Sequence, residues 1–246
     1  YQTGGNILGD QFDTGKIFEV RDTFYLRLGN GRFAQDLKMG GAWQMVKDEW
    51  AFPVYGRGLM IYVTDSTALP LLYVGTSGSA QSEIKTNLIS GYIQDDIRPT
   101  SRLTLSLGVR YDLDTNGNNP NFTSPAMTTA RGRDTNNFQP RGGFSWDVMG
   151  NGQHVVRGGA GIFTGRFLLV PAHIELQQNG YTGLTIQQRI NGALLGLPAF
   201  ALNPASPTTT GLPLTRDASR IADNLVNPWS QQVTAGYTVR LGKTGL

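Results

Sequence analysis

Seven stretches of the chain alternate apolar and polar side chains with a period of two, the spacing that sends successive side chains to opposite faces of a β-strand. From Lys16 to Leu28, one face carries Phe18, Val20, Phe24, Leu26 and Leu28 and the other Glu19, Arg21, Thr23 and Arg27. From Arg32 to about residue 46, Phe33, Leu37, Met39, Trp43 and Met45 alternate with Arg32, Asp36, Lys38 and Gln44. A third run, 86–97, sets Ile89, Gly91, Ile93 and Ile97 against Ser90, Tyr92, Gln94 and Asp96. The fourth, 103–112, is the most regular: Leu103, Leu105, Leu107, Val109 and Tyr111 oppose Thr104, Ser106, Gly108, Arg110 and Asp112. Runs at 137–148 and 154–165 carry Phe144 and Trp146, then Val156, Ala160 and Ile162, on their apolar faces. The last, 229–241, alternates Val233, Ala235, Tyr237, Val239 and Leu241 with Gln232, Thr234, Gly236, Thr238 and Arg240. Gly29-Asn30-Gly31 and Gly150-Asn151-Gly152 read as tight hairpin turns between neighbouring runs.

The runs are about 9–13 residues long, whereas strands of soluble proteins average roughly 5–6 and tilted membrane-spanning strands need about 9–11. Connections alternate strictly: short at 29–31, 98–102 and 149–153, long at 47–85, 113–136 and 166–228. A transmembrane barrel imposes this order, because each strand reverses direction between short periplasmic turns and long extracellular loops. Alternation gives the period and not the sign. Charged residues on the polar faces, namely Arg27, Asp36, Arg110, Asp112, Arg157 and Arg240, suit a wet lumen in which they pair. The reading is therefore an all-β, antiparallel transmembrane barrel segment with its apolar faces toward lipid.

Composition agrees with that reading. Charged residues make up 16% of the chain, less than the ~25–35% that suits a fully solvated surface. The net charge of +3 has no Lys/Arg run behind it, so nucleic acid is not an expected partner. Without cysteine, disulfide frameworks, thiolate metal sites and cysteine nucleophiles are excluded. There is also no 18-residue apolar stretch for a membrane helix. Residues 54–63 and 69–75 read either as a hairpin above the membrane or as two further spanning strands. Ile174 to Leu197 has near-helical spacing at Ile186, Ile190, Leu194 and Leu195, which predicts a short helix or folded lid.

Gly91-Tyr92-Ile93-Gln94-Asp95-Asp96 followed by the run Leu103 to Asp112 resembles barrel strands of TonB-dependent outer-membrane receptors. Phe138-Gln139-Pro140-Arg141-Gly142-Gly143-Phe144, Val156-Arg157-Gly158-Gly159-Ala160-Gly161-Ile162-Phe163 and Asn227-Pro228-Trp229-Ser230-Gln231-Gln232 look like blocks of the large Oar-like branch of that family. Ile97 stands where a Trp often follows the paired Asp. The resemblance covers about residues 86–241. It implies a barrel of about 22 strands in the outer membrane of a Gram-negative bacterium, an N-terminal plug, contact with the TonB energy-coupling protein and uptake of a nutrient. No plug domain or TonB box is found in this sequence, and seven or nine strands is an odd number. Residues 1–246 are thus expected to be a partial barrel domain. Other readings are a non-transporting surface scaffold or adhesin within an envelope assembly, and a soluble all-β binding module.

Chemical motifs are weak. Gly236 to Thr244 reads G-x5-G-K-T, one residue too long for a phosphate loop and inside a strand. Asp112, Asp114, Asn116 and Gly117 open like a calcium loop, but its twelfth position is Thr123. Gly158-Gly159-Ala160-Gly161 begins a strand and opens no helix, so it is not a dinucleotide fingerprint. His154, at a hairpin, and His173, in a loop, lack a ligand or carboxylate at useful spacing. Asn121-Phe122-Thr123 matches a glycosylation sequon to which no role is given. No catalytic, cofactor-binding or metal-ligating residue is assigned, and the chain is not expected to be an enzyme. Tyr181, Gln187, Gln188 and Asn191 are candidate ligand contacts in the long loops.

Overall fold

The computed structural model describes residues 2–4, 9–56, 58–62, 71–125, 127–190, 212–213 and 218–241. The seven alternating runs are seven strands: β2 (Phe12–Leu28), β3 (Ala34–Ala51), β6 (Gln81–Thr100), β7 (Leu103–Asp114), β8 (Phe138–Asp147), β9 (His154–Thr164) and β12 (Trp229–Val239). They form one antiparallel sheet in the order β12-β9-β8-β7-β6-β3-β2, with β2 and β12 at its two open edges. Register places Phe24, Met39, Ile93 and Val109 side by side on one face, and Tyr25, Lys38, Gln94 and Gly108 on the other.

The apolar face is the uncovered one. Phe24 is 55% exposed, Leu107 52% and Val233 82%, a distribution that water would penalise and hydrocarbon favours. Aromatic residues border this band. Phe18, Trp43, Phe138 and Trp229 lie toward the long loops, and Phe144, Trp146 and Tyr237 toward the short turns. Two carboxylates, Asp22 and Asp95, interrupt the same face. The opposite face curls inward: Arg166, two residues past β9, donates to Gln44 on β3 at 2.9 Å. Four strand spacings separate those strands, about 19 Å if the sheet were flat, so the polar face is concave.

Turn chemistry follows the sequence. Gly150 and Gly152 have φ of +73° and +72°, and the Asp147 carboxylate accepts both of their N–H groups, at 2.9 and 2.7 Å. Only glycine adopts that conformation cheaply.

Two expectations are corrected, and one open alternative is resolved. β3 and β6 run past 46 and start before 86, so the loop expected at 47–85 narrows to 52–80. On one face these extensions carry Lys47, Glu49, Glu83 and Lys85; on the other, Trp50 and Ile84 are interleaved with Asp48 and Ser82, so the alternation weakens there. Residues in the 54–63 and 69–75 stretches form β4 (Leu59–Ile61) and β5 (Leu72–Gly78); residue 57 and residues 63–70 lie outside the described residues. They pair antiparallel, as the separate-hairpin alternative expects, and join a second sheet with β1 (Gln2–Gly4), β10 (Leu184–Ile190) and β11 (Leu212–Pro213), ordered β1-β4-β5-β10-β11, and not the seven-stranded sheet. The helix expected from Ile174 to Leu197 is instead α1 (Leu169–Gln177) followed by β10. Gly180 and Gly183, at φ +81° and +75°, break the helix, and 184–190 pair with β5. Leu194, Leu195 and Asn191 lie outside the described residues.

On its apolar-face side, the β2–β3–β6 extension carries Lys16, Lys47 and Lys85 in one row, with Glu49 and Glu83 two residues further out. Glu83 accepts from Lys47 at 2.8 Å and Lys85 at 2.6 Å. Hydrogen bonds from Lys47 and then Lys85 hold the Glu83 carboxyl down to about 2, and Glu49 and Glu83 raise the Lys47 ammonium. A carboxyl depressed in the folded state stabilises above its unfolded value of 4.5 and loses that contribution as pH falls toward 2. Acidification across that window is expected to lower the amide protection factors, exchange corrected for its intrinsic pH dependence, at 47–51 and 81–85, and Glu83→Gln to flatten the dependence. Protection factors in these segments that do not change with pH would contradict it.

Candidate functional site

The concave face holds a cleft of about 460 Å³. Its walls come from β2, β3, β6, β7 and β8, and its roof from Thr164-Gly165-Arg166 and Asn227. Because the side chains repeat every second residue, each strand contributes a column to one wall. Arg21 and Thr23 come from β2, Lys38 and Gln44 from β3, Ser90 and Tyr92 from β6, Arg110 and Asp112 from β7, and Gln139 from β8.

Pairing in and around the cleft is extensive. Arg110 bonds Asp112 at 2.7–2.8 Å, and Gln139 donates to the same carboxylate at 2.5 Å. Arg21 bonds Glu19 at 2.6 Å, and Glu19 also accepts from Gln44. At the short-turn rim, Asp36 is held between Arg27 at 2.8 Å and Arg98 at 2.6 Å. Arg157 donates to Thr238 at 3.0 Å. Lys38 stands over the rings of Tyr25 and Tyr92, 5.2 and 5.9 Å from their centroids.

The long loops fold back over this face. α1 packs on β6, where Ala172, Ile84 and Ile221 form a buried cluster with Leu169, Leu176 and Leu225 around it. Beside it, Arg131 and Glu175 make a bidentate pair at 2.8 and 2.5 Å with both side chains 1% exposed. Arg131 also donates to the carbonyls of Asn118, Asn119 and Ile221, each at 3.1 Å. Glu175 further accepts from Asn119 Nδ2 and from the Ile221 N–H. This network ties together three loop segments distant in sequence.

His173, expected in a loop without partners, is buried in α1. Its Nε2 lies 3.0 Å from Asp48 Oδ2 and its Nδ1 2.6 Å from Ser82 Oγ, while Gln177 donates to Ser82 Oγ at 2.8 Å and to the Trp50 carbonyl at 3.0 Å. With separations of 125 and 91 residues, no spacing rule finds this cluster. His173 is 1% exposed, so the arrangement clamps α1 to β3 and β6. His154 starts β9, 2.5 Å from the Tyr237 hydroxyl.

The calcium-like stretch is a capped turn. Asp114 accepts the N–H groups of Asn116 and Gly117 at 3.0 and 2.7 Å and the Thr86 hydroxyl, while Asp112 is held by Arg110. No cluster of three or more potential metal ligands occurs among the described residues. The phosphate-loop candidate lies partly outside them, but Gly236 is within β12. The small residues 158–161 sit inside β9. Of the loop candidates, Tyr181 is exposed, and Gln187 and Gln188 pair in register with Gly75 and Val74. Tyr181 does not line the cleft. No helix among the described residues is long and apolar enough to cross a membrane, which says nothing of strands.

A family model described as an outer membrane beta barrel domain matches residues 2–245. Among solved structures, the outer membrane transporter YddB from Escherichia coli aligns with a TM-score of 0.58 at 14% identity. The alignment covers 95% of this chain and 24% of that one, so the chain spans about a quarter of that transporter's length. At this identity the likeness is one of fold. No curated protein matches significantly.

Proposed function

This chain belongs to the outer membrane β-barrel domain family and resides in the bacterial outer membrane, and on that premise we propose that it forms part of the wall of a TonB-dependent uptake barrel. The observation that carries the reading is the two-sidedness of one sheet. Its convex side is apolar and bare; its concave side is a charged, hydrogen-bonding cleft roofed by folded loops. A lipid-facing exterior around a polar interior is what a solute needs to cross hydrocarbon.

The strand blocks that resemble the Oar-like receptors extend the proposal to a barrel of about 22 strands with a plug and a TonB contact elsewhere in the complete protein. Outer-membrane lipid would cover the apolar band. The role assigned to this chain is binding and passage, without bond-making chemistry. The fold likeness to a transporter supports the reading without fixing a ligand.

The test is growth of strains lacking the complete gene, lacking TonB, or lacking both, in competition with the parent under limitation of one nutrient at a time. Uptake predicts a defect under one limitation that is equal in the three strains. A gene-deletion defect in adhesion or envelope integrity, independent of TonB, would replace this reading by that of a surface scaffold.

A further inference from the structure

We infer that the lumenal cleft is a binding site for a small solute bearing phosphate or carboxylate groups. The inference rests on the transport reading and names the class of solute. Four cations line the cleft, Arg21, Lys38, Arg110 and Arg166, against two acids, Asp112 and Asp114, so the lining charges sum to 4 − 2 = +2.

Neither acid neutralises the rest. Asp112 is taken by Arg110 and Gln139. Asp114 is taken by the turn that it caps, through the N–H groups of Asn116 and Gly117. Arg21 is matched by Glu19. Lys38 and Arg166 are left with no carboxylate partner among the described residues.

Both are held in place by neutral groups. The Lys38 ammonium lies over two tyrosine rings, which attract a cation without cancelling its charge. Arg166 gives one donor to the Gln44 amide oxygen and keeps the rest of its five for another acceptor. Gln44 and Lys38 are six residues apart on β3, about 20 Å of strand. One cation therefore marks the roofed mouth and the other the deep wall, with Arg110 on the wall of the same cleft.

A cleft whose lining carries unbalanced positive charge concentrates the field and raises the local concentration of anions. Rings of Arg and Lys serve anion and phosphate pores in this way. Thr23, Gln139 and Asn227 supply neutral hydrogen-bonding groups beside these charges. The cavity volume falls within the usual ~300–1,000 Å³ of small-molecule sites.

The experiment is calorimetric titration of the complete protein, purified in detergent, with pyrophosphate and separately with citrate, at low and high NaCl. Saturable binding of at least one probe is expected, weakening as salt rises. A Lys38→Gln, Arg166→Gln double variant should bind at least tenfold more weakly, while Lys16→Gln, altered on the other face, should match the parent. Preference between the probes distinguishes phosphate from carboxylate chemistry. Arg166→Gln alone, altered outside the strands, covers the case in which the double variant fails to fold. Heat-modifiable gel migration reports folding of each. Folded parent protein that binds neither probe, or a folded double or Arg166 variant that binds like the parent, overturns the inference. Binding that persists in a protein whose deletion phenotype is independent of TonB would keep the site and remove the transport reading.

Discussion

Glu175→Gln is expected to release the loop cluster over the cleft at a cost of about 3–5 kcal/mol, the penalty for leaving one partner of a buried ion pair uncompensated. Arg131 would retain only backbone carbonyls and a neutral amide for a guanidinium that is 1% exposed. The loss is local, because β7 and β8 are held by their own ladders, while α1 touches β3 and β6 at their loop-side ends. Hydrogen exchange should therefore rise at 118–131, 169–177 and 218–225 and stay low in β7 and β8. A companion, Arg131→Met with Glu175→Leu, should recover much of the protection, since apolar pairs of similar volume commonly replace buried ion pairs with little loss. Unchanged exchange in Glu175→Gln would mean that the apolar cluster at Ile84, Ala172 and Ile221 holds the loops without the ion pair.

Val109→Arg is expected to cost about 2–4 kcal/mol, the penalty for a cation at the lipid-facing midplane of a barrel. Val109 sits mid-band between Ile93 and Pro140 in register. Ser106→Arg, on the lumenal face of the same strand and in register with Asp96, should be tolerated. Urea unfolding of the complete protein reconstituted in lipid vesicles measures both. A neutral Val109→Arg with a costly Ser106→Arg would put the apolar face inside and point to a soluble sandwich.

The spanning strands were legible because one physical constraint repeats along them. Each must show lipid on one side and water on the other, so the period of two is written into runs such as Leu103 to Asp112. Where the constraint ends, the signal thins: Lys47, Asp48 and Glu49, or Ser82, Glu83 and Lys85, leave Trp50 and Ile84 as single large apolar side chains without a repeating partner, and the strand extensions were read as loop. The helix was misplaced for a related reason. α1 buries His173, Glu175 and Gln177 beside the short apolar stripe Leu169, Ala172 and Leu176, so most of its fully buried side chains are polar and the stripe is hard to pick out. Residues 184–190 have apolar side chains at Leu184, Ile186 and Ile190, a spacing open to helix or strand, and pairing with β5 settled it.

The candidate site was half legible. Lys38, Tyr92 and Arg110 were recognisable as members of polar faces, and their pairing with acids was expected for Arg110 and Asp112. That Lys38 has two tyrosines and no acid depends on register between three strands. That Arg166 crosses to Gln44 depends on curvature, which no single strand encodes.

By itself the sequence determined which residues span, which face of each strand is apolar and where the chain reverses, because alternation and turn residues are local consequences of side-chain chemistry. Only the tertiary structure decided the rest. It chose the concave face, folded α1 over it, and brought Asp48, Ser82 and His173, or Asn119, Arg131 and Glu175, into contact. Such contacts follow from loop closure and sheet curvature, which sum over many residues and leave no periodic mark on any one of them.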